Sequence, residues 1–486
     1  MQGLVWALAD HLGVVARAPG ELLDVLATDR RRTVIVVPDL RSGPAAELVR
    51  SLARLPHLRL IVEVGTGSPA HDVLSDQGGA ELNLDLEQWR DQKRYEAWQA
   101  VQPASHDARS ASSQVSTSVE LSDPAAICAA DPWLVTASYE ADAGHDYGGL
   151  RAAWLRAGQS LCREQSPASR ALVLLAVLGE GADPRLGPAL AALAEDTPWR
   201  LEWARVKGDV TPPWPGPVTA LAVGSGPFDG CVLAVDHLGT LRILNSKDAS
   251  AQGRLTPVTV NAVGVSVLSD GTLLILDGAG RVHADRTRAV GPVRSGIETL
   301  LNDEPDETQN LVEALREHVG TALAATAGSS AGVVALGEAS GTVRVFGDVT
   351  GTAALHEGQV TALAALDVPL DDGTTVPMLY SGGADGTVRA WAPDQDPMSA
   401  PIVERTCPVV ALHAVWSTEG AVLGVAWADG LVELHRFDTG QHLGFHAGAP
   451  VRALAATSDD SLVIAMDEAL IRLTVRAQHP TSQSID

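Results

Sequence analysis

The feature that most constrains this chain is a short strand signature that returns through its C-terminal half. Gly239-Thr240-Leu241-Arg242, Gly280-Arg281-Val282-His283, Gly341-Thr342-Val343-Arg344, Gly386-Thr387-Val388-Arg389, Gly430-Leu431-Val432-Glu433 and Ala469-Leu470-Ile471-Arg472 align on one another, with successive gaps of 41, 61, 45, 44 and 39 residues. A fixed period of about 40 to 45 residues is the length of one four-stranded sheet module that cannot bury both faces alone and must stack on its neighbours. The long gap is accounted for by an insertion. DEPDETQNLVEALREHVG, residues 303–320, reads as an amphipathic helix with Asp at its start, Gly320 at its end and a stripe of Leu311, Leu315 and Val319.

The best-formed repeat is HEGQVTALAALDVPLDDGTTVPMLYSGGADGTVRAW, from His356 to Trp391. His356 precedes an alternating strand, Val360 to Leu366. Ser381 follows a second apolar run. Asp385 sits in an Ala-Asp-Gly turn, which tolerates the positive φ of a tight hairpin. The period and these hairpins predict a β-propeller. The last repeat shows only three strands, Val451 to Ala456, Leu462 to Met466 and Ile471 to Val475, before the polar tail at 478–486. Residues 199–206, WRLEWARV, alternate with period two just ahead of the first repeat. They are expected to supply the missing outer strand, closing the ring and removing an exposed edge. Six blades result over 199–477, or seven if the insertion contains a degenerate one.

The order His, Ser, Asp, Trp resembles the WD-repeat (WD-40) propeller family. That resemblance implies that His356, Ser381, Asp385 and Trp391 form a buried structural tetrad within one blade. The side chains have the required chemistry: an indole N–H donates, a hydroxyl relays and a carboxylate accepts from imidazole. The same types make a Ser-His-Asp catalytic triad, but the spacing is that of a blade and no hydrolase motif surrounds it. The other repeats hold Leu244, Asp285, Phe346, His435 and Thr474 at the Trp position, so the fold rests on period more than on tetrads.

Residues 1–102 read as part of an open α/β fold. Leu4, Leu8, Leu12 and Val15 are spaced as one helix face, and Leu22 to Leu26 suggest a second, short helix behind Pro19. Thr33 to Val37 and Leu58 to Val64 are continuous apolar runs, the pattern of parallel strands buried on both faces. Helices are expected at Ala45 to Leu55 and Ala70 to Asp76, with a third strand at Leu82 to Leu86. TVIVVPDL resembles the Walker B strand of P-loop NTPases, and RLIVEVGTGSP the following strand in the AAA and STAND branches. The resemblance implies a degenerate Walker B position at Asp39, followed here by Leu40 where a second acid is usual. No GxxxxGK[ST] occurs, and Lys93, Lys207 and Lys247, the only lysines, are outside glycine loops. Without that loop no nest of N–H groups cradles a phosphate. The region reads as a truncated P-loop-like domain that binds no nucleotide. The alternative is a regulatory STAND-type ATPase subunit whose phosphate loop lies elsewhere. The Gly65-Thr66-Gly67-Ser68 turn is a weak anion-site candidate.

A Ser-rich linker, 103–124, follows. Residues 125–198 turn helical, with Trp154, Leu155, Leu161 and Cys162 on one helix, Arg170 to Leu178 on another and a third beginning at Pro188. Trp133, Tyr139 and Trp154 are expected in its core. The segment resembles the small helical part that follows the ATPase core in STAND proteins.

Composition excludes some functions. The net charge is −25 and the pI near 4.8, which argues against nucleic acid and anionic membranes as partners. Arg30-Arg31-Arg32 reads as a solvated turn. Four scattered cysteines without CxxC spacing fit a reducing cytoplasm. Arg and Ala usage points to a GC-rich, bacterial genome. The expected function is a non-catalytic scaffold or sensor that binds protein partners through a propeller face, with no cofactor. A second alternative is a small-molecule or metal-binding propeller, with His237, His283, His413, His435 and His446 converging on the channel.

Overall fold

The computed structural model describes residues 1–29, 31–40, 43–76, 79–84, 86–87, 91–94, 96, 119–211, 214–255, 261–286, 307–326 and 332–476. The chain divides into two compact units, 19–120 and 2–18 with 121–486. Most of the Ser-rich stretch and the 478–486 tail lie outside the described residues.

In the smaller unit, strands β1 (Thr33–Leu40) and β2 (Leu58–Val64) pair in parallel. They alternate with helices Pro19–Thr28, Gly43–Leu52 and Pro69–Ser75. Leu22, Leu26, Ile35, Val37, Leu48, Val49, Leu52 and Leu58 are buried and form its interior. Two expectations fail here. Among the described residues the strands are covered on one face only, where the unit's helices lie: Val34, Val36 and Ile61 are exposed. The described part of Leu82 to Leu86 forms no strand, and Leu82, Leu84 and Leu86 are exposed.

The larger unit contains the first helix, α1 (Gln2–Leu12), so the sequence boundary at residue 102 does not follow the compact units. Its buried face is Val5, Trp6, Leu8 and Ala9, offset from the spacing expected. The helical segment comprises Pro124–Ala129, Pro132–Ala141, Leu150–Leu161, Pro167–Ala176 and Leu186–Leu193. Four of the five begin with proline in the first turn or follow an Asp or Ser cap; Asp123, Asp131 and Ser166 each accept a backbone N–H. Tyr139 and Trp154 are core, whereas Trp133 is 42% exposed, against expectation.

Six sheets then form a β-propeller. Blade 1 is Val218–Val223, Cys231–Asp236, Leu241–Asn245 and Ala251–Leu255. Blade 2 is Ala262–Val267, Leu273–Asp277 and Val282–Asp285. Blade 3 is Ala322–Ala325, Val333–Gly337, Thr342–Gly347 and Gly351–Ala354. Blade 4 is Val360–Pro369, Thr375–Gly383, Thr387–Trp391 and Val403–Glu404. Blade 5 is Val409–Ser417, Gly420–Trp427, Leu431–Arg436 and Gln441–His446. Blade 6 is Val451–Thr457, Ser461–Met466 and Ala469–Val475, completed by β3 (Trp199–Val206). The recurrent glycines have a common cause. Gly239, Gly280, Gly341, Gly386 and Gly430 all have φ between 76° and 87°, which a residue with Cβ adopts only under strain.

Closure is as the sequence implies: Ala469 pairs with Val206 and Val475 with Trp199, antiparallel. Two tryptophans of β3 also reach sideways. Trp199 Nε1 donates to Gly444 O of blade 5 at 3.0 Å, and Trp203 Nε1 to Ser246 O beside blade 1 at 3.0 Å. One strand therefore ties three blades. The insertion helix runs over Glu307–Arg316, residues 303–306 lying outside the described part. Leu311, Val312 and Leu315 pack between blades 2 and 3, while Val319, expected in the stripe, is exposed.

Candidate functional site

Within blade 4 the hairpin brings His356, Ser381 and Asp385 together. His356 Nε2 lies 2.9 Å from Ser381 Oγ, and its Nδ1 lies 3.1 Å from Asp385 Oδ1 and 3.0 Å from Thr387 Oγ1. Burial lowers the His356 pKa, outweighing the pull of Asp385. Burial raises the Asp385 pKa, but hydrogen bonds from the Thr387 backbone and hydroxyl and from Glu357 N, with electrostatic attraction to His356, hold it below the ordinary carboxylate value. The consistent assignment is neutral imidazole donating from Nδ1 to carboxylate and accepting the Ser381 hydroxyl at Nε2. The imidazole is 0% exposed and Ser381 1%, while the Asp385 side chain keeps 16%.

Trp391 does not join this chain of bonds. Its indole donates to Gln395 O at 2.9 Å, and its ring packs with the core between blades 3 and 4. In the register it faces Leu379, while Arg389 faces Ser381. Thr387, which the sequence reading passed over, takes the place beside His356.

The five histidines do not converge. His283 pairs with Asp277, His435 lies 3.5 Å from Glu433, and His446 accepts from Arg163 at 3.1 Å. Only His413 lines the central channel, a space of about 460 Å³. Burial against the inner strands lowers its pKa to about 4. Among the described residues no three His, Cys, Asp or Glu side chains are placed to hold a metal ion.

The channel wall holds a further device. In five of the six inner strands the register shifts around the second residue: Thr219, Val263, Thr361, Val410 and Arg452. A bulge re-aims its side chain. Thr219 Oγ1 donates to Ala262 O at 2.8 Å and Thr361 Oγ1 to Val409 O at 2.7 Å; Thr321, before the blade 3 inner strand, reaches Val360 O at 2.6 Å. Each links one inner strand to the next blade.

No protein-family model matches this chain, and a search of curated proteins finds none similar to it.

The richest polar constellation lies on the face formed by the turns between second and third strands and by the loops between blades. Over blades 5 and 6 this face holds α1, residues 13–17 and the Leu150–Leu161 helix. Gln159 clamps the backbone, accepting from Ala16 N at 3.0 Å and donating to Val14 O at 2.7 Å. Ser160 Oγ donates to His446 O at 2.9 Å. Arg163, just past the helix, bonds Asp10 at 2.7 Å, Asp429 O at 2.9 Å and His446 Nδ1 at 3.1 Å. Arg17 meets Glu468 at 2.9 Å. Burial, then the Arg163 charge, lowers the His446 pKa to about 4. Two glycines permit the approach. A Cβ on Gly158 would lie 1.9 Å from the Trp6 ring, and one on Gly448 would lie 2.9 Å from Ala157 Cα. Long-range polar pairs of this kind leave no periodic trace in a sequence, so the reading missed them.

Asp39 lies at the exposed carboxyl end of β1 with φ 51°. In the Gly65–Ser68 turn, Ser68 Oγ accepts from His71 N at 3.2 Å, so the turn caps the following helix. No helix among the described residues is long and apolar enough to cross a membrane.

Proposed function

We propose that this chain is a non-catalytic scaffold or sensor of the WD-repeat type, binding another protein through the turn face of its ring. The single observation that supports this reading is that the turn face over blades 5 and 6 already holds polypeptide. It engages helices of its own chain through backbone carbonyls, a fixed arginine and glycine-permitted close packing. Over blade 1 the same face presents Leu238, 62% exposed, in the turn between second and third strands. Such an apolar side chain on a rigid turn suits an interface anchor. The enclosure of His356 and Ser381 favours a latch over a catalytic pair. On the same reading, the α/β part of residues 1–102 is a truncated P-loop-like remnant that binds no nucleotide.

The test is a photo-crosslinking residue at Leu238, in cells of the source organism, compared with one at Leu370. Leu370 is 46% exposed on the opposite side of the ring, between the first and second strands of blade 4. A discrete protein adduct at 238 and none at 370 is the expected outcome. Adducts at both positions, or at neither, contradict the proposal.

A further inference from the structure

The open face of the α/β sheet carries a pattern that fits itself. Val34, Val36 and Ile61 are 62, 63 and 60% exposed. The parallel register sets Val34 beside Arg59 and Val36 beside Ile61. Side chains alternate along a strand, so Val34, Val36, Arg59, Ile61 and Glu63 stand on one face and Ile35, Val37 and Leu58 on the covered one. Parallel strands in folded proteins are covered on both faces, and a contiguous exposed apolar strip marks a contact surface.

The charges indicate what covers it. Arg59 donates only to the carbonyls of Pro56 and Leu58, at 3.1 and 3.0 Å, and among the described residues neither Arg59 nor Glu63 has an ion-pair partner. They stand two residues either side of Ile61, about 7 Å along the strand in each direction. A two-fold axis running across the strands at the Val36–Ile61 rung sets Arg59 of one copy over Glu63 of the other, and the reverse. The same axis stacks Val36 and Ile61 on their own counterparts. An axis running along β2 would instead set Arg59 over Arg59 and be repelled.

We propose that this face binds a second copy of the chain, sheet against sheet and antiparallel, about an axis at Ile61. The interface is isologous, so one surface satisfies both partners. Its failure leaves the scaffold reading untouched.

The experiment is sedimentation velocity on the full chain from about 1 to 100 µM, where mass action separates monomer from dimer. The expected mass rises from 50.6 kDa toward twice that value. Arg59→Glu and Glu63→Arg are each expected to weaken association at least about tenfold, and the double exchange Arg59→Glu/Glu63→Arg to restore it. All three change exposed side chains, and circular dichroism verifies that each variant is folded. A monomer at every concentration overturns the proposal. So does a dimer indifferent to both single changes, or one that the double exchange fails to restore.

Discussion

The ring and the α/β unit are made from the same material, apolar strands joined by short connections, and they finish it differently. In the ring every blade packs against two neighbours, the circle is closed by β3, and apolar clusters fill the gaps between blades. In the α/β unit two strands keep one face exposed, and neither outer edge pairs with a further strand among the described residues. On the readings proposed above, the closed ring offers turns and loops as contact surface, and the open sheet offers its face.

The largest way to break the comparison is to reopen the ring. Trp199 is 1% exposed and links β3 to blade 5. Trp199→Ala is expected to cost about 3–5 kcal/mol in the larger unit, read by denaturant unfolding with ring tryptophan fluorescence. A loss below about 1 kcal/mol would mean that the strand is peripheral.

Acid separates the units next. His413 and His446 have folded pKa values of about 4 against 6.5 unfolded. The folded state therefore binds fewer protons. The stability these groups give is present above pH 6.5 and is lost as pH falls toward 4, up to about 3 kcal/mol each. His446→Asn keeps an acceptor for Arg163 and removes one titration, so it should flatten the stability–pH slope between 6.5 and 4. An unchanged slope would contradict the burial assigned to His446.

The smallest effect sharpens how the ring is stitched. Thr321→Val removes the hydroxyl that reaches Val360 O and should cost about 1 kcal/mol. Blades 2 and 5 carry Val263 and Val410 at the matching place, so the same shape is tolerated there. A cost well above that of a single bond would show that the threonines act together.

What the sequence disclosed follows the physics of each feature. The ring was legible because positive φ demands glycine at five turns and because alternation in 199–206 marked a strand with no partner nearby. The helix at 307–316 was legible from its stripe, although Val319 was misplaced because the helix ends at Arg316. The open sheet face was not legible: Thr33 to Val37 is the same apolar run whether one face or two are covered. Trp391 was misplaced by resemblance, since its partner, Gln395 O, is a backbone group that residue identity does not reveal. The Gln159 and Arg163 contacts, which bring α1 and the helical segment onto the ring, join residues more than 140 positions apart.

Ring closure by a strand from ahead of the first blade is the claim on which the rest depends. Hydrogen–deuterium exchange of the full chain, followed over residues 199–206 and 469–475, tests it most directly. The predicted result is that the 199–206 amides bonded to 469–475 exchange as slowly as those of blade 6's own strands. Exchange of 199–206 within seconds, while 451–475 stays protected, would contradict it.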